Sequence, residues 1–327
     1  MRTFQIQNER DALEVSRVIL GTTYLGNMDD HAEGYRQMNR YFELGGRCLD
    51  TARIYSNLAP EDRYPSEKVI GEWLRRTGVR KQLVLSTKGG HPPYGQMEAG
   101  RLGRKDLWYD LEQSLDALQT DYIDLYWLHR DHLSTSVEEI VDTLNEFADK
   151  GLVRCFGVSN WTTERLLEAN TYAKRAGKLG FSASQIQWSL AACTPQTWGD
   201  DTLVCMTDQI RADYLRHHVP VMAYNAQAKG FFSKLAKMKE EELPAKIRQR
   251  FLSPENREMN LERFNRLMEL SRQYHVSPAV IAVAYLTSQQ LETGAIVGCS
   301  SIAQLEDSMS AQDFVLSQKE VNWLEEK

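Results

Sequence analysis

One unit recurs along this chain: a short apolar run that ends at a polar residue, then an amphipathic helical stretch. The runs are Val18–Leu20, Cys48–Asp50, Leu83–Thr87, Tyr122–Leu128, Val153–Val158, Ala183–Trp188, Val219–Ala223 and Ala295–Val297. Helical patterns lie between them, near His31–Leu44, Ser66–Arg76, Asp106–Leu118, Ser136–Lys150, Thr163–Ala176, Asp201–His217, Asn256–His275 and Ser277–Gln289. Two further helices, near Ile302–Met309 and Lys319–Glu325, close the chain. Regular strand–helix alternation implies a parallel sheet. Eight such units in 327 residues, with no Pro/Gly/Ser-rich linker, predict an α/β fold: one (β/α)8 TIM barrel spanning 1–327 as a single domain.

Local signals agree with this reading. Val69, Ile70, Trp73 and Leu74 share one helix face, as do Tyr35, Met38, Tyr41 and Phe42. Ser136 and Glu139 have capping-box spacing, and Gly151 ends that helix. Ahead of the barrel, Thr3–Gln5 and Leu13–Val15 suit an N-terminal hairpin over the barrel floor. After the seventh strand, Lys229–Asn260 is too long for a simple connection and strongly charged from Lys234 to Arg250. It reads as a long inserted loop or lid.

Composition narrows the function. A hydrophobic content of 42 % with 26 % charged residues is ordinary for a soluble globular protein. The formal net charge of −6 favours neither nucleic acid nor an anionic membrane as partner. The N-terminus lacks the apolar core of a secretory signal, and the longest apolar run, Ile281–Leu286, is far short of the ~18–20 residues a membrane span needs. Five scattered cysteines, with no CxxC and no zinc-type spacing, read as reduced thiols of a cytoplasmic protein.

Chemistry concentrates at the strand ends. The stretch Gly46–Tyr55, GRCLDTARIY, ends a buried strand at Asp50 and sets Tyr55 just above it. Lys88 follows the third strand, His129 the fourth and Ser159-Asn160 the fifth; Gln185 lies on the sixth and Tyr224 follows the seventh. In a parallel barrel these groups converge at one mouth. Taken singly, an Asp or Lys at a strand end is usually a solvated loop residue, and a lone Tyr or His usually packs. One polar group on each of successive strand ends is much harder to explain that way. A phenol has a pKa of about 10 and donates its proton usefully only where positive charge lowers that value.

These segments carry a resemblance. Leu13–Thr22 (LEVSRVILGT), Leu49–Tyr55 (LDTARIY), Leu85–Lys88 (LSTK), Asp121–Arg130 (DYIDLYWLHR) and Gly151–Asn160 (GLVRCFGVSN) resemble the aldo-keto reductase family, as do Ser184–Leu190 (SQIQWSL), Ala223–Phe231 (AYNAQAKGF) and Ile296–Asp307 (IVGCSSIAQLED). They occur in the family's order and cover nearly the whole chain. The resemblance implies an oxidoreductase that moves a hydride between NAD(P)H and an aldehyde or ketone, or the corresponding alcohol or sugar. It uses nicotinamide on a barrel, and no GxGxxG follows any strand here. Tyr55 would be the general acid, Lys88 would lower its pKa toward neutrality, Asp50 would hold Lys88, and His129 would orient the carbonyl oxygen.

The resemblance also assigns the cofactor groups. Ser159, Asn160 and Gln185 would hold the carboxamide, and Tyr224 would stack on the ring. Gly21, Thr22, Thr23 and Asp50 would border the nicotinamide end. Asn225, Gln227 and Lys229 would follow the pyrophosphate, and Gly298, Ser300, Gln304, Asp307 and Ser308 the adenosine end. NADP is the family's usual cofactor. Here the segment Gly298–Gln304, GCSSIAQ, lacks the Arg or Lys that commonly meets the 2′-phosphate, which keeps NAD open. Ser308 stands where an adenine-contacting Asn is frequent. Substrate-binding candidates are Tyr24, Tyr55, His129 and Arg130, with Trp188 or Trp198 as further walls; Arg130 and Lys229 hint at hydroxyls or an anion. The partner implied is a small carbonyl, alcohol or sugar. The alternatives are a cofactor-binding regulatory or redox-sensing subunit with little turnover, and a barrel enzyme working through a Schiff base on Lys88. A charge-holding Asp50 beside Lys88 opposes the last.

Overall fold

The computed structural model describes residues 1–25, 31–56 and 65–326. It opens with an antiparallel hairpin, β1 (Thr3–Gln7) on β2 (Ala12–Ser16). Eight strands then close a barrel: β3 (Val18–Gly21), β4 (Cys48–Asp50), β5 (Val84–Gly89), β6 (Ile123–Leu128), β7 (Val153–Ser159), β8 (Ser184–Gln185), β9 (Val221–Ala223) and β10 (Thr293–Val297). Every neighbouring pair is parallel, and β10 returns to β3. The expected TIM barrel and its hairpin are therefore present.

Helices α1 (His31–Glu43), α2 (Pro65–Thr77), α3 (Arg104–Leu118), α4 (Val137–Asp149) and α5 (Thr163–Ala176) follow successive strands. Their ends are written in the sequence. The Glu139 N–H donates to Ser136 Oγ at 3.2 Å, and the chain leaves α4 through Gly151 at φ +72°. After β8 come the short α6 (Pro195–Trp198) and then α7 (Asp208–His217), which begins well after the expected Asp201. Residues 203–206 instead join the sheet rim, where Cys205 and Tyr224 both bridge to Gln187.

The segment after β9 differs from the expected loop or lid. It folds into α8 (Phe231–Leu235), α9 (Ala245–Phe251) and the start of α10 (Arg257–Tyr274). Phe231, Phe232, Leu243, Ile247 and Phe251 are buried there, with the Phe231 and Phe251 rings 5.3 Å apart. The charge run hid this apolar set, whose Ile247–Phe251 spacing is helical. Helix α11 (Pro278–Thr287), buried from Val280 to its end, then α12 (Ile302–Met309) and α13 (Gln318–Glu325), complete the outer layer. Among the described residues no helix is long and apolar enough to cross a membrane.

Side chains alternate across each strand, so every second residue enters the barrel. Low in the barrel, Ile19, Cys48, Val84, Leu125, Trp127, Cys155, Ala183, Met222 and Ile296 form one apolar cluster, plugged from below by Phe4, Ile6, Leu13 and Val15 of the hairpin. Outward residues such as Leu20, Leu49, Leu85, Tyr126 and Phe156 pack under the helices. Two residues higher on the inward rows, the chemistry turns polar: Cys48 gives way to Asp50, Val84 to Ser86 and Lys88, Trp127 to His129, Ala183 to Gln185. The barrel thus has an apolar floor and a polar mouth. On β7, Gly157 makes room for the indole: a Cβ there would lie 2.4 Å from Trp127 Cζ3.

Candidate active site

Asp50 is the most heavily bonded group at the mouth. Its Oδ2 accepts from Lys88 Nζ at 2.6 Å, and its Oδ1 from Ser86 Oγ at 2.7 Å and Gln185 Nε2 at 3.0 Å. Lys88 Nζ also donates to the Thr51 carbonyl at 2.7 Å. Both members of the ion pair are almost completely buried. Burial alone would push the Lys88 ammonium down, but the charges of Asp50 and Tyr55 carry it above its ordinary value. A permanently cationic lysine is therefore fixed beneath the mouth.

Tyr55 lies over that cation, with Nζ 4.9 Å from its ring centroid. The loop carrying it is pinned at three points. Arg53 pairs with buried Asp110 at 3.2 Å, the Arg53 N–H donates to the Lys88 carbonyl at 3.3 Å, and the Tyr55 N–H donates to the Ala52 carbonyl at 3.0 Å. The expected depression of the Tyr55 pKa does not emerge. Burial raises the phenol more than the Lys88 charge and hydrogen bond lower it, so it stands above its ordinary value. Tyr55 is accordingly a protonated phenol at neutral pH, poised next to a cation that would offset its charge once the proton left.

His129 meets Tyr55 edge-on at 5.9 Å between centroids. Its Nδ1 is buried with no hydrogen-bond partner. Burial, followed by the charges of His91, Arg130 and Lys88, holds the imidazole well below its ordinary pKa. It is neutral at physiological pH. His91, which the strand-end argument missed, packs at 71° on His129 with ring centroids 4.7 Å apart. It sits just past Gly89 and Gly90, where a φ of +71° turns the chain back over the mouth. A histidine so soon after Lys88 on the same strand exit was the available signal.

Ser159, Asn160 and Gln185 come together as expected. Asn160 Nδ2 donates to Ser159 Oγ at 3.0 Å, and the Asn160 N–H to the Gln185 carbonyl at 3.2 Å. Tyr224 reaches the same group, its hydroxyl donating to Asn160 Oδ1 at 2.6 Å. Asn225 Nδ2 donates to Gln187 Oε1 at 2.9 Å, Gln227 Nε2 to Ser308 Oγ at 2.9 Å, and the Thr22 N–H to the Asp50 carbonyl at 3.0 Å. Ser56 Oγ donates to the Thr23 carbonyl at 2.8 Å. Gly21 is closely packed, a Cβ there lying 2.8 Å from Ile296 Cγ2, whereas beside Gly298 there is open space. At the far end, the Ser300 N–H and hydroxyl both donate to Gln304 Oε1 at 2.9 Å, while Asp307 accepts from Ser277 Oγ.

The substrate candidates divide. Tyr24 is exposed on the rim, with Lys229 Nζ 3.5 Å from its hydroxyl. Arg130 is already engaged, by Asp200 at 3.3 Å and Thr202 at 3.1 Å, so its charge is answered within the protein. Trp188 is not a pocket wall. It is buried beneath α11, its N–H donating to Tyr285 Oη at 3.3 Å. Trp198 does reach the rim, where the Arg250 guanidinium stacks 3.8 Å over its ring. Exposed Tyr94, 5.7 Å from the His91 ring, was not anticipated.

Residues 17–327 match the model of the Aldo/keto reductase family. A norsolorinic acid reductase of Emericella nidulans is 27% identical over 330 residues, covering 96% of this chain and 78% of the relative. A putative aryl-alcohol dehydrogenase of Saccharomyces cerevisiae is 25% identical over 346 residues, covering 98% and 85%. An aryl-alcohol dehydrogenase of Pestalotiopsis microspora reaches 31% identity over a shorter stretch of 191 residues, 54% of this chain and 48% of the relative. With the family model matched from the first barrel strand onward, on a closed eight-stranded barrel, this chain belongs to the aldo/keto reductase family.

Proposed function

We propose that this protein is an oxidoreductase that interconverts a small aldehyde or ketone and its alcohol, with Tyr55 as proton donor and nicotinamide as hydride carrier. The observation that carries the reading is the buried Lys88–Asp50 pair, 2.6 Å apart, directly under the Tyr55 ring. A structural ion pair would need no phenol above it and no histidine with an unused buried nitrogen beside it. The family match supports oxidoreductase chemistry in general, and relatives named as acting on aryl alcohols and on norsolorinic acid favour an aromatic carbonyl or alcohol as substrate. The aromatic rim of Tyr24, Tyr94 and Trp198 is consistent with such a ring.

The residues at the mouth suit a nicotinamide. Ser159, Asn160 and Gln185 offer hydroxyl and amide groups of both polarities in one cluster, as a carboxamide requires. Asn160 and Asn225, just past β7 and β9, adopt left-handed φ values of +59° and +55°, sharp backbone turns at these two strand exits. Bound there, the cofactor would supply or accept a hydride at the carbonyl carbon. Negative charge then builds on the carbonyl oxygen, and the chain's own groups answer it. Neutral His129 donates a hydrogen bond that orients the oxygen. Tyr55 Oη gives up its proton to that oxygen, and the Lys88 ammonium offsets the tyrosinate that remains. Asp50, saturated by three donors, keeps Lys88 charged and immobile.

Tyr55→Phe tests this directly. The variant keeps the ring and its packing and loses only the proton. Turnover of an aryl aldehyde such as benzaldehyde should fall by about 10²–10⁴-fold, the usual worth of a positioned acid, with little change in nucleotide affinity. A variant as fast as the parent would remove Tyr55 from the chemistry.

A further inference from the structure

Behind the mouth, one carboxylate is bonded to both loops that reach His129. Asp110 lies on α3 with its side chain buried. Its Oδ1 takes two guanidiniums, Arg53 Nη1 at 3.2 Å and Arg101 Nη2 at 2.8 Å. Its Oδ2 accepts from the Gly90 N–H at 2.8 Å. Arg101 reaches on to the loop after β5, donating from Nη1 to the His91 carbonyl at 3.3 Å, and is steadied by Asp106 of α3 at 3.2 Å. Two glycines allow the close approach. A Cβ on Gly89 would lie 1.9 Å from Tyr126 Oη and 3.0 Å from Asp110 Cβ, and one on Gly90 would lie 2.7 Å from Leu102 Cδ2. Without side chains there, the exit of β5 presses onto α3 and offers the Gly90 N–H to the carboxylate.

The bonded segments are those that carry the chemistry. Arg53 shares the loop after β4 with Tyr55, whose ring meets His129 at 5.9 Å between centroids. Gly90 directly precedes His91, whose ring meets His129 at 4.7 Å. The backbones of the two loops also touch, the Arg53 N–H donating to the Lys88 carbonyl at 3.3 Å. Stability is a poor account of such an ion cluster. Buried charges are costly to desolvate, and apolar side chains of similar volume often hold a fold as well. A guanidinium–carboxylate contact adds direction, which an apolar contact lacks.

We propose that Asp110 is a positioning residue that fixes the Tyr55 loop and the His91 loop relative to one another. It acts through Arg53, Gly90 and Arg101, and not on the substrate. The consequence for turnover rests on the reductase reading; the coupling of the two loops does not. In that reading, releasing Arg53 lets the Tyr55 hydroxyl drift from the carbonyl oxygen it must protonate. A displacement of about 1 Å, caused by a change remote from the chemistry, costs about 10²-fold in rate.

The test is Asp110→Asn in the full-length protein. This change keeps the shape and an oxygen for the Gly90 N–H, and removes the charge that holds both guanidiniums. Amide hydrogen exchange should show lost protection at residues 53 and 55 on one loop and 90 and 91 on the other, with β7 unchanged. The kcat for benzaldehyde should fall by about 10²-fold, with nucleotide affinity as in the parent. Ile6→Ala, cut from the barrel floor, is the control for stability: it should leave kcat and the exchange of these four amides unchanged. Where Asp110→Asn does not fold, Arg53→Met breaks one arm alone. It should loosen residues 53 and 55 and lower kcat, and Arg53→Lys, which keeps the charge, should restore part of the rate. Parent-like protection of residues 53 and 55 in Asp110→Asn or Arg53→Met would overturn the proposal. So would a parent-like kcat in those variants where the parent turns over, or an equal kcat loss in Ile6→Ala. A parent that turns over no carbonyl would overturn the reductase reading, and the exchange pattern alone would then decide the role of Asp110.

Discussion

His91 and His129 share one burial and both remain neutral, which makes the mouth sensitive to acid. Burial takes His91 down to about 4, and His129 lies well below its ordinary value for the same reason first. Unfolded, both would titrate near 6.5. Between those values the unfolded chain binds more protons than the folded one, so stability is whole above pH ~6.5 and falls as pH drops toward 4. Glu67 works in the opposite sense: burial lifts its carboxyl to about 7, so its contribution is present at low pH and fades as pH rises through 7. The informative comparison is therefore between parent and His91→Gln, by urea melts across this window. The variant should lose stability less steeply with falling pH; identical slopes would mean that His91 does not titrate with unfolding. At this scale the sequence placed Asp50, Lys88 and His129 at their strand ends, where the structure has them. For His91 it offered only nearness to Lys88, because a loop residue has no period to betray its direction.

In the proposed cofactor site, helix α12 is the element that would set the choice between NAD and NADP. Residues 298–308 contain two charged groups, Glu306 and Asp307, and both are acidic. The cation that approaches them, Arg40 of α1, is already bound to Glu306 at 2.7 Å and Glu43 at 3.2 Å. At the helix N-terminus, Gln304 Oε1 occupies the Ser300 N–H. Among the described residues, a 2′-phosphate placed there would meet an already paired Arg40 and an occupied donor. NADH should therefore bind at least as tightly as NADPH, measured by quenching of intrinsic tryptophan fluorescence. A strong preference for NADPH would show that the phosphate is held elsewhere. The absence of Arg and Lys from this segment was legible in sequence; the neutralisation of Arg40 was not, since its partners lie 266 and 3 residues away.

For the whole molecule, the vertical division of the barrel matters most. The apolar floor carries stability, and the polar mouth holds the proposed active site. Ile6 of the hairpin is completely buried in the floor cluster. Ile6→Ala should cost about 2–5 kcal/mol in a denaturant melt, the usual range for a buried aliphatic truncation, and leave nucleotide affinity unchanged. A loss of nucleotide affinity equal to the loss of stability would mean that floor and mouth are not separable.

Eight apolar runs, the helix caps at Ser136 and Gly151, and the inward ladder from Cys48 to Asp50 or Trp127 to His129 are local or periodic. The sequence alone therefore determined the barrel and the side of it on which Asp50, Lys88 and His129 lie. Tertiary structure decided what periodicity cannot express. It desolvated the Tyr55 hydroxyl enough to outweigh the lysine, packed Trp188 outward against Tyr285, and folded the charged stretch after β9 onto a phenylalanine cluster. The physical reason is common to all three: desolvation and hydrogen-bond partnership depend on groups distant in the chain, whereas strand and helix depend on neighbours.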